Sequence, residues 1–151
     1  MHLSEMLLER GQITDEQLAQ ARASANGQSV DEVLLKMGVV PEEALKSLAE
    51  DLGMRYVDLR DYTIDATLLA RFPTSAIFRH TILPLEMRNG SVEVATGDPY
   101  DLEALDELSS MSGLQLRPVL ARREDVLQLI KEHLGVGGDT INELIAREAE
   151  Q

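Results

Sequence analysis

The first third of this sequence is written twice. Leu3 to Leu18 (LSEMLLERGQITDEQL) returns 27 positions later as Val30 to Leu45 (VDEVLLKMGVVPEEAL). Glu5/Glu32, Leu7/Leu34, Leu8/Leu35, Gly11/Gly38, Glu16/Glu43 and Leu18/Leu45 are identical between the copies, and Leu3/Val30, Met6/Val33, Ile13/Val40 and Asp15/Glu42 are conservative pairs. A duplication of this kind constrains the fold more than any single motif, because each copy must form the same supersecondary unit. Within a copy, apolar residues at helical spacing lead to a glycine, a short connector and a second helix with a defined start, which predicts a helical hairpin. Gly11 and Gly38 stand where a helix ends in a left-handed residue. Thr14 and Gln17 form a capping-box pair, and Pro41 suits a first helical turn in the second copy. Helices this short are marginal in water. The hairpins are therefore expected to pack on each other through Leu3, Leu7, Leu18, Leu34, Leu45 and Leu48.

Beyond the repeat, Arg55 to Leu59 (RYVDL) alternates and reads as a short strand leaving the helical part, with a boundary near residue 60. Asp65 caps a helix to Arg71 that Pro73 stops, and Thr74 to Phe78 adds another turn. Ile82 to Met87 and Ser91 to Ala95 flank Asn89-Gly90, the dipeptide suited to a tight hairpin. Asp98 as cap and Pro99 are expected to start a helix with Leu102, Leu105 and Leu108 as its buried stripe and Gly113 as its end. Leu114, Leu116 and Leu120 suggest a strand, and Pro118 within it demands an edge position or a bulge. Glu124 to Leu134 is the last long helix, with Val126, Leu127, Leu129, Ile130, His133 and Leu134 as its apolar face. A strand, a helix and a return strand favour a right-handed crossover. The expected fold is thus α/β in the α+β sense. Residues 1–60 form a duplicated helical-hairpin subdomain, and 61–134 a small α/β subdomain of about three strands in a mixed sheet with helices on one face. Residues 135–151 form a linker (GVGGD) and the start of a charged helix.

Charge narrows the function. Fourteen Lys and Arg against 27 Asp and Glu leave a formal charge of -13, which repels phosphate backbones and anionic membranes, so general nucleic-acid binding is not expected. The absence of cysteine removes disulfides and thiolate metal sites, a pattern compatible with the cytosol. No apolar stretch reaches the roughly 20 residues of a membrane span, and the N-terminus lacks a secretory pattern. A cytoplasmic location is expected. No phosphate-cradling GxxxxGK[ST] loop is present, and GVGGD lacks its lysine. His2, His80 and His133 have no metal-ligand spacing, so no metal site is expected. Acidic pairs such as Asp101/Glu103, Asp106/Glu107 and Glu42/Glu43 read as solvated helix faces, and Ser109, Ser110 and Ser112 have no neighbouring histidine. No catalytic residue and no cofactor is assigned to this chain.

The paired LxxxLLxxGxIxxxxL units, then LGMRYVDL, VATGDPYDLEALDEL and LGVGGDTINELI, together resemble the N-terminal domain of the assembly ATPases of bacterial type II secretion systems and type IV pili. The resemblance covers essentially the whole chain, with the motifs in order. It implies a non-catalytic regulatory and docking domain whose parent protein continues into its own hexameric ATPase domain, where ATP and Mg would act. The implied partner is the cytoplasmic domain of an inner-membrane platform protein, which would hold the chain peripheral to the inner membrane.

A subset of that family binds cyclic di-GMP, using in each repeat an Arg-Leu-Gly opening, a glycine after the first helix and a terminal glutamine. Carried onto this sequence, the frame falls on His2, Leu3, Ser4, Leu7, Gly11 and Leu18, and again on Ser29, Val30, Asp31, Leu34, Gly38 and Leu45. The apolar frame is retained, but both arginines are replaced and the glutamine positions hold Ala25 and Leu52. An arginine fork gives bidentate donors to a guanine edge or a phosphate, whereas Asp31 on an acidic surface repels a dianion. The resemblance therefore implies docking first. A cyclic di-GMP sensor, or the same module fused to another effector such as a glycosyltransferase, is the alternative. For docking, Leu8, Leu35, Val39 and Val40 are the apolar hairpin positions expected at a partner surface, with core packing as the competing reading.

Overall fold

The computed structural model describes residues 3–134. His2 and the linker and charged helix expected over 135–151 lie outside the described residues. The duplicated part forms α1 (Leu3–Glu9), α2 (Asp15–Ala23), α3 (Val30–Met37) and α4 (Glu42–Leu52), so each copy is the expected hairpin. Gly11 and Gly38 take φ of 70° and 73°, a conformation that a side chain would strain. The Thr14 hydroxyl accepts the Gln17 N–H at 3.0 Å while the Gln17 side chain accepts the Thr14 N–H at 2.9 Å, completing the capping box. Ser29 caps α3, its Oγ accepting the Glu32 N–H at 3.2 Å. Pro41 stands one place earlier than expected, as the N-cap of α4. Leu7 and Leu34, equivalent positions of the two copies, are both 0% exposed and pack with Leu3, Leu18, Leu45 and Leu48 in one helical core.

Two short helices follow, α5 (Ala66–Leu69) and α6 (Thr74–His80). The Asp65 carboxylate caps α5, accepting the Thr67 and Leu68 N–H groups, each at 3.1 Å. The sheet has three strands in the order β1 (Ile82–Arg88), β2 (Ser91–Thr96) and β3 (Leu116–Leu120). The β1 and β2 pair is antiparallel, with Asn89 and Gly90 at φ of 53° and 82° in the turn and a bulge between Pro84 and Glu86. Strand β3 runs parallel to β2, and the connection between them is α7 (Leu102–Ser112). The chain then enters α8 (Arg123–Leu134). Leu59, Ile77, Ile82, Leu108 and Ile130 anchor the second core, so the molecule is an α+β fold with two adjoining cores.

Several local expectations give way to packing. Arg55 to Leu59 is not a strand. It makes one parallel bridge, Tyr56 to Leu120, in which Leu120 N–H donates to Arg55 O at 2.8 Å and Val57 N–H to Leu120 O at 2.9 Å. The reason lies in β3. Gln115 and Ala121 bond inward to β2 while Leu120 bonds outward, so by the two-residue alternation Leu116 and Pro118 also face the outer edge. In the parallel register of that bridge Asp58 and Leu59 fall opposite Arg122 and Arg123, where β3 has ended and α8 begins, so the ladder has nothing to continue on, while Pro118 takes the edge position its missing N–H requires. Helix α7 begins later than expected, with Asp101 as its cap accepting the Ala104 N–H at 3.2 Å. Its buried face runs through Ala104 and Leu108, four residues apart, which leaves Leu102 on the other side and 63% exposed. His133 is likewise exposed on α8.

The two cores meet at a tight joint. Leu120, at the end of β3, is 0% exposed and belongs to the helical core. Across the same joint the Tyr56 hydroxyl donates to Glu42 at 2.9 Å, and this bond, followed by the Arg60 charge, holds the Glu42 carboxyl below its usual range. Gly97 leaves β2 so close to α8 that a Cβ would lie 2.8 Å from Arg123 Cβ and 3.0 Å from Arg123 Cα. Gly97→Ala is accordingly expected to destabilise the fold by about 1–3 kcal/mol, read from the urea midpoint, because the helix start itself must shift.

Candidate functional site

The openings of the two repeats come together. The Ser4 backbone N–H at the start of α1 donates to Asp31 Oδ1 at 3.2 Å, so a carboxylate of the second copy takes up an unpaired amide of the first. These residues are one repeat length, 27 positions, apart. Around them the frame divides by depth. Leu3, Leu7, Leu18, Leu34 and Leu45 are buried in the helical core, Ser4, Val30 and Asp31 are half-buried, and Ser29, Gly11 and Gly38 are exposed. The leucines of the frame thus build the scaffold, and the side chains left to face solvent are Ser4, Ser29 and Asp31.

Beside this junction lies a cleft of about 460 Å³ between α3 and the start of α7, lined by Gln28, Glu32, Lys36, His80, Tyr100, Asp101, Leu102, Glu103 and Glu107. On its far wall the His80 ring sits 2.6 Å from Glu107, which also receives Arg79. The near wall crowds acids. Burial, and then the neighbouring Asp98 charge, push the Glu32 carboxyl up. Asp98 is itself 8% exposed; its Oδ1 accepts the Tyr100 N–H at 3.0 Å, and its Oδ2 is buried without a partner. Burial foremost, opposed by that hydrogen bond and reinforced by Asp101, raises Asp98 as well. Tyr100 is raised by burial and then by Asp31, Asp98 and Glu32. Sequence reasoning places Asp98 in a helix cap and passes over Tyr100; the available signal was the TGDP segment, where a glycine that tolerates no side chain precedes an acid after a strand.

Chemically, the cleft and junction favour a cationic or neutral polar visitor over a dianion, since burial, reinforced by neighbouring carboxylates, already disfavours negative charge on Glu32, Asp98 and Tyr100. Among the described residues no group of three or more His, Asp or Glu could hold a metal ion, and no helix is long and apolar enough to cross a membrane. Of the docking candidates, Leu35 is 4% exposed and packs in the core, which corrects its reading as a surface position. It lies beside Val33 and Leu34 on the face that α3 buries. Leu8, Val39 and Val40 are half-buried against the same core.

This arrangement, two repeated hairpins beside a small mixed sheet, is similar to that of the N-terminal domain of XpsE. That solved structure superposes with a TM-score of 0.67 at 27% identity, over 85% of this chain and 91% of that one. A structure of MshE with cdg shares the fold, with a TM-score of 0.62 at 23% identity, over 88% of this chain and 99% of that one. The chain belongs to the MshEN domain family, whose model matches residues 52–140. Among curated proteins, it is 24% identical to the type IV pilus assembly ATPase PilB of Myxococcus xanthus (strain DK1622) over 146 residues, 95% of this chain and 26% of that protein. It is 30% identical to the bacteriophage adsorption protein B of Escherichia coli (strain K12) over 127 residues, 83% of this chain and 17% of that protein. The chain therefore spans about a quarter or less of the curated relatives it matches.

Proposed function

We propose that this chain is the non-catalytic regulatory and docking domain of a type II secretion or type IV pilus assembly ATPase, binding the cytoplasmic region of an inner-membrane platform protein. The observation that carries the reading is the contact between the repeat openings. Where the cyclic di-GMP-binding pattern has Arg-Leu-Gly, this chain has the Ser4 N–H bonded to the Asp31 carboxylate, with Glu32 and Asp98 close by, both raised by burial first and by neighbouring acids after it. A domain that keeps the family scaffold but fills that place with a carboxylate retains a protein-facing role. The likeness to the type II secretion system protein E of Xanthomonas campestris and to PilB supports the secretion or pilus setting, and with it a cytoplasmic location at the inner membrane. In the parent protein ATP and Mg belong to the ATPase domain.

A second reading is a cyclic di-GMP sensor, favoured by the MshE structure with cdg and by the retained leucines. The likeness to bacteriophage adsorption protein B supports a third setting, fusion of the module to another effector such as a glycosyltransferase. The test is paired. Isothermal titration of cyclic di-GMP into the folded chain is expected to give no saturable heat, while the purified cytoplasmic domain of the platform protein from the same source co-elutes with it. Saturable micromolar binding without co-elution would replace the docking reading by the sensor.

A further inference from the structure

The outer edge of β3 carries a basic pocket in an otherwise acidic protein. Glu93 on β2 has a side chain only 3% exposed, and two guanidinium groups converge on its carboxylate: Arg55, in direct contact, and Arg88, with Nη1 at 3.9 Å. Cross-strand partners share a face of a sheet. Glu93 pairs with Glu86 on β1 and with Arg117 on β3, so Arg117 stands on the same face as the buried pair. Arg55, Glu93 and Arg117 then line one cavity of about 300 Å³ whose apolar walls are Met54, Pro118 and Val119. Three guanidinium groups against Glu93 and the exposed Glu86 leave a local surplus of positive charge in a chain whose formal charge is -13. Glu93 holds Arg55 in place, while Arg117 is exposed and has no ion pair among the described residues. Beside the pocket, the outward backbone groups of Leu116 and Pro118 have no strand partner among the described residues, because the single bridge stops at Leu120.

We infer that this edge is a docking site for an extended acidic segment of a partner protein. One carboxylate enters the cavity and pairs with Arg117 and Arg55, an adjacent apolar side chain rests on Met54 and Pro118, and the backbone meets the edge only at Leu116. Edge addition supplies main-chain hydrogen bonds, and alternate side chains supply selectivity. Pro118, with no N–H to offer, limits the backbone contribution and leaves the charges to choose the partner. This surface rests on the docking reading and gives it a chemical class of partner.

The test uses a fluorescein-labelled peptide of alternating glutamate and valine, titrated into the intact protein at low and physiological salt and followed by polarisation. Saturable binding is expected, weakened at least about tenfold by Arg117→Glu, less by Arg117→Ala, and weakened further by salt. Arg71→Glu, an exposed arginine elsewhere, should leave it unchanged. Circular dichroism confirms that each variant is folded. Equal binding of the glutamine and valine peptide, or indifference to both Arg117 variants, overturns the site. Displacement by inorganic phosphate where matched chloride has no effect overturns the peptide as occupant. If Arg117→Glu still co-elutes with the platform domain while the peptide fails to bind, the docking reading stands and this surface falls. Loss of co-elution in the folded Arg117→Glu variant supports both.

Discussion

Leu120→Ala is expected to lower the unfolding free energy by about 2–5 kcal/mol, the cost of emptying a site that cannot fully collapse. The position is unusual in belonging to a strand of the sheet while packing, fully buried, among the helices of the duplicated hairpins. Its loss should therefore act unevenly. In hydrogen exchange, amides of α4 and of the Tyr56 bridge are expected to lose protection before those of the β1 and β2 hairpin, which has its own core. Urea unfolding gives the total. A uniform loss of protection would mean that the two cores melt as one and that Leu120 is an ordinary core residue.

The second large effect is a gain. Combining His2→Arg, Ser4→Gly, Ser29→Arg and Asp31→Gly writes Arg-Leu-Gly, or Arg-Val-Gly, at the two openings. It removes the carboxylate that now takes the Ser4 N–H and supplies two guanidinium forks in its place. The quadruple variant is expected to bind cyclic di-GMP at least about a hundredfold more tightly than the present chain, which should show no saturable signal by titration. Glycine at two helix-start positions, the lost Ser29 cap of α3 and the lost Asp31 contact will together cost about 2–4 kcal/mol of stability, so the comparison is made well below the melting point. A folded quadruple variant that still ignores the ligand would show that the shape of the cleft, rather than its polar contacts, excludes it.

Much of the fold was legible because it was set locally. The hairpins follow from the repeated leucines and glycines, the β1 and β2 turn from Asn89-Gly90, and the edge position of β3 from Pro118. What stayed hidden was set by contacts distant in sequence. Arg55 to Leu59 alternates as a strand should, but its only neighbour, β3, ends at Leu120 opposite Tyr56, so the residues after the bridge have no strand beside them. Leu102 fits a helical stripe by spacing alone, yet the stripe that packs is the one through Ala104 and Leu108. For the site, the frame leucines were legible as the packing between the hairpins, but nothing local said that Ser4 and Asp31 would touch. Glu93 gave the least warning: nothing in SVEVAT distinguishes a solvated glutamate from one enclosed by arginines drawn from two other segments.

The bond from Ser4 to Asp31 bears on how a duplicated domain can diverge. Where equivalent positions of two copies meet, a single residue choice is read twice, once as each partner. The donor is a backbone N–H that any residue but proline offers, so the bond asks for the carboxylate in the second copy only. Aspartate in both copies would set two carboxylates against each other, and serine in both would exchange the charged acceptor for a shorter, neutral hydroxyl. Inheritance at these two sites is therefore coupled: a change in one half alters the worth of the residue in the other, and the halves are no longer interchangeable even though their leucine skeletons still are.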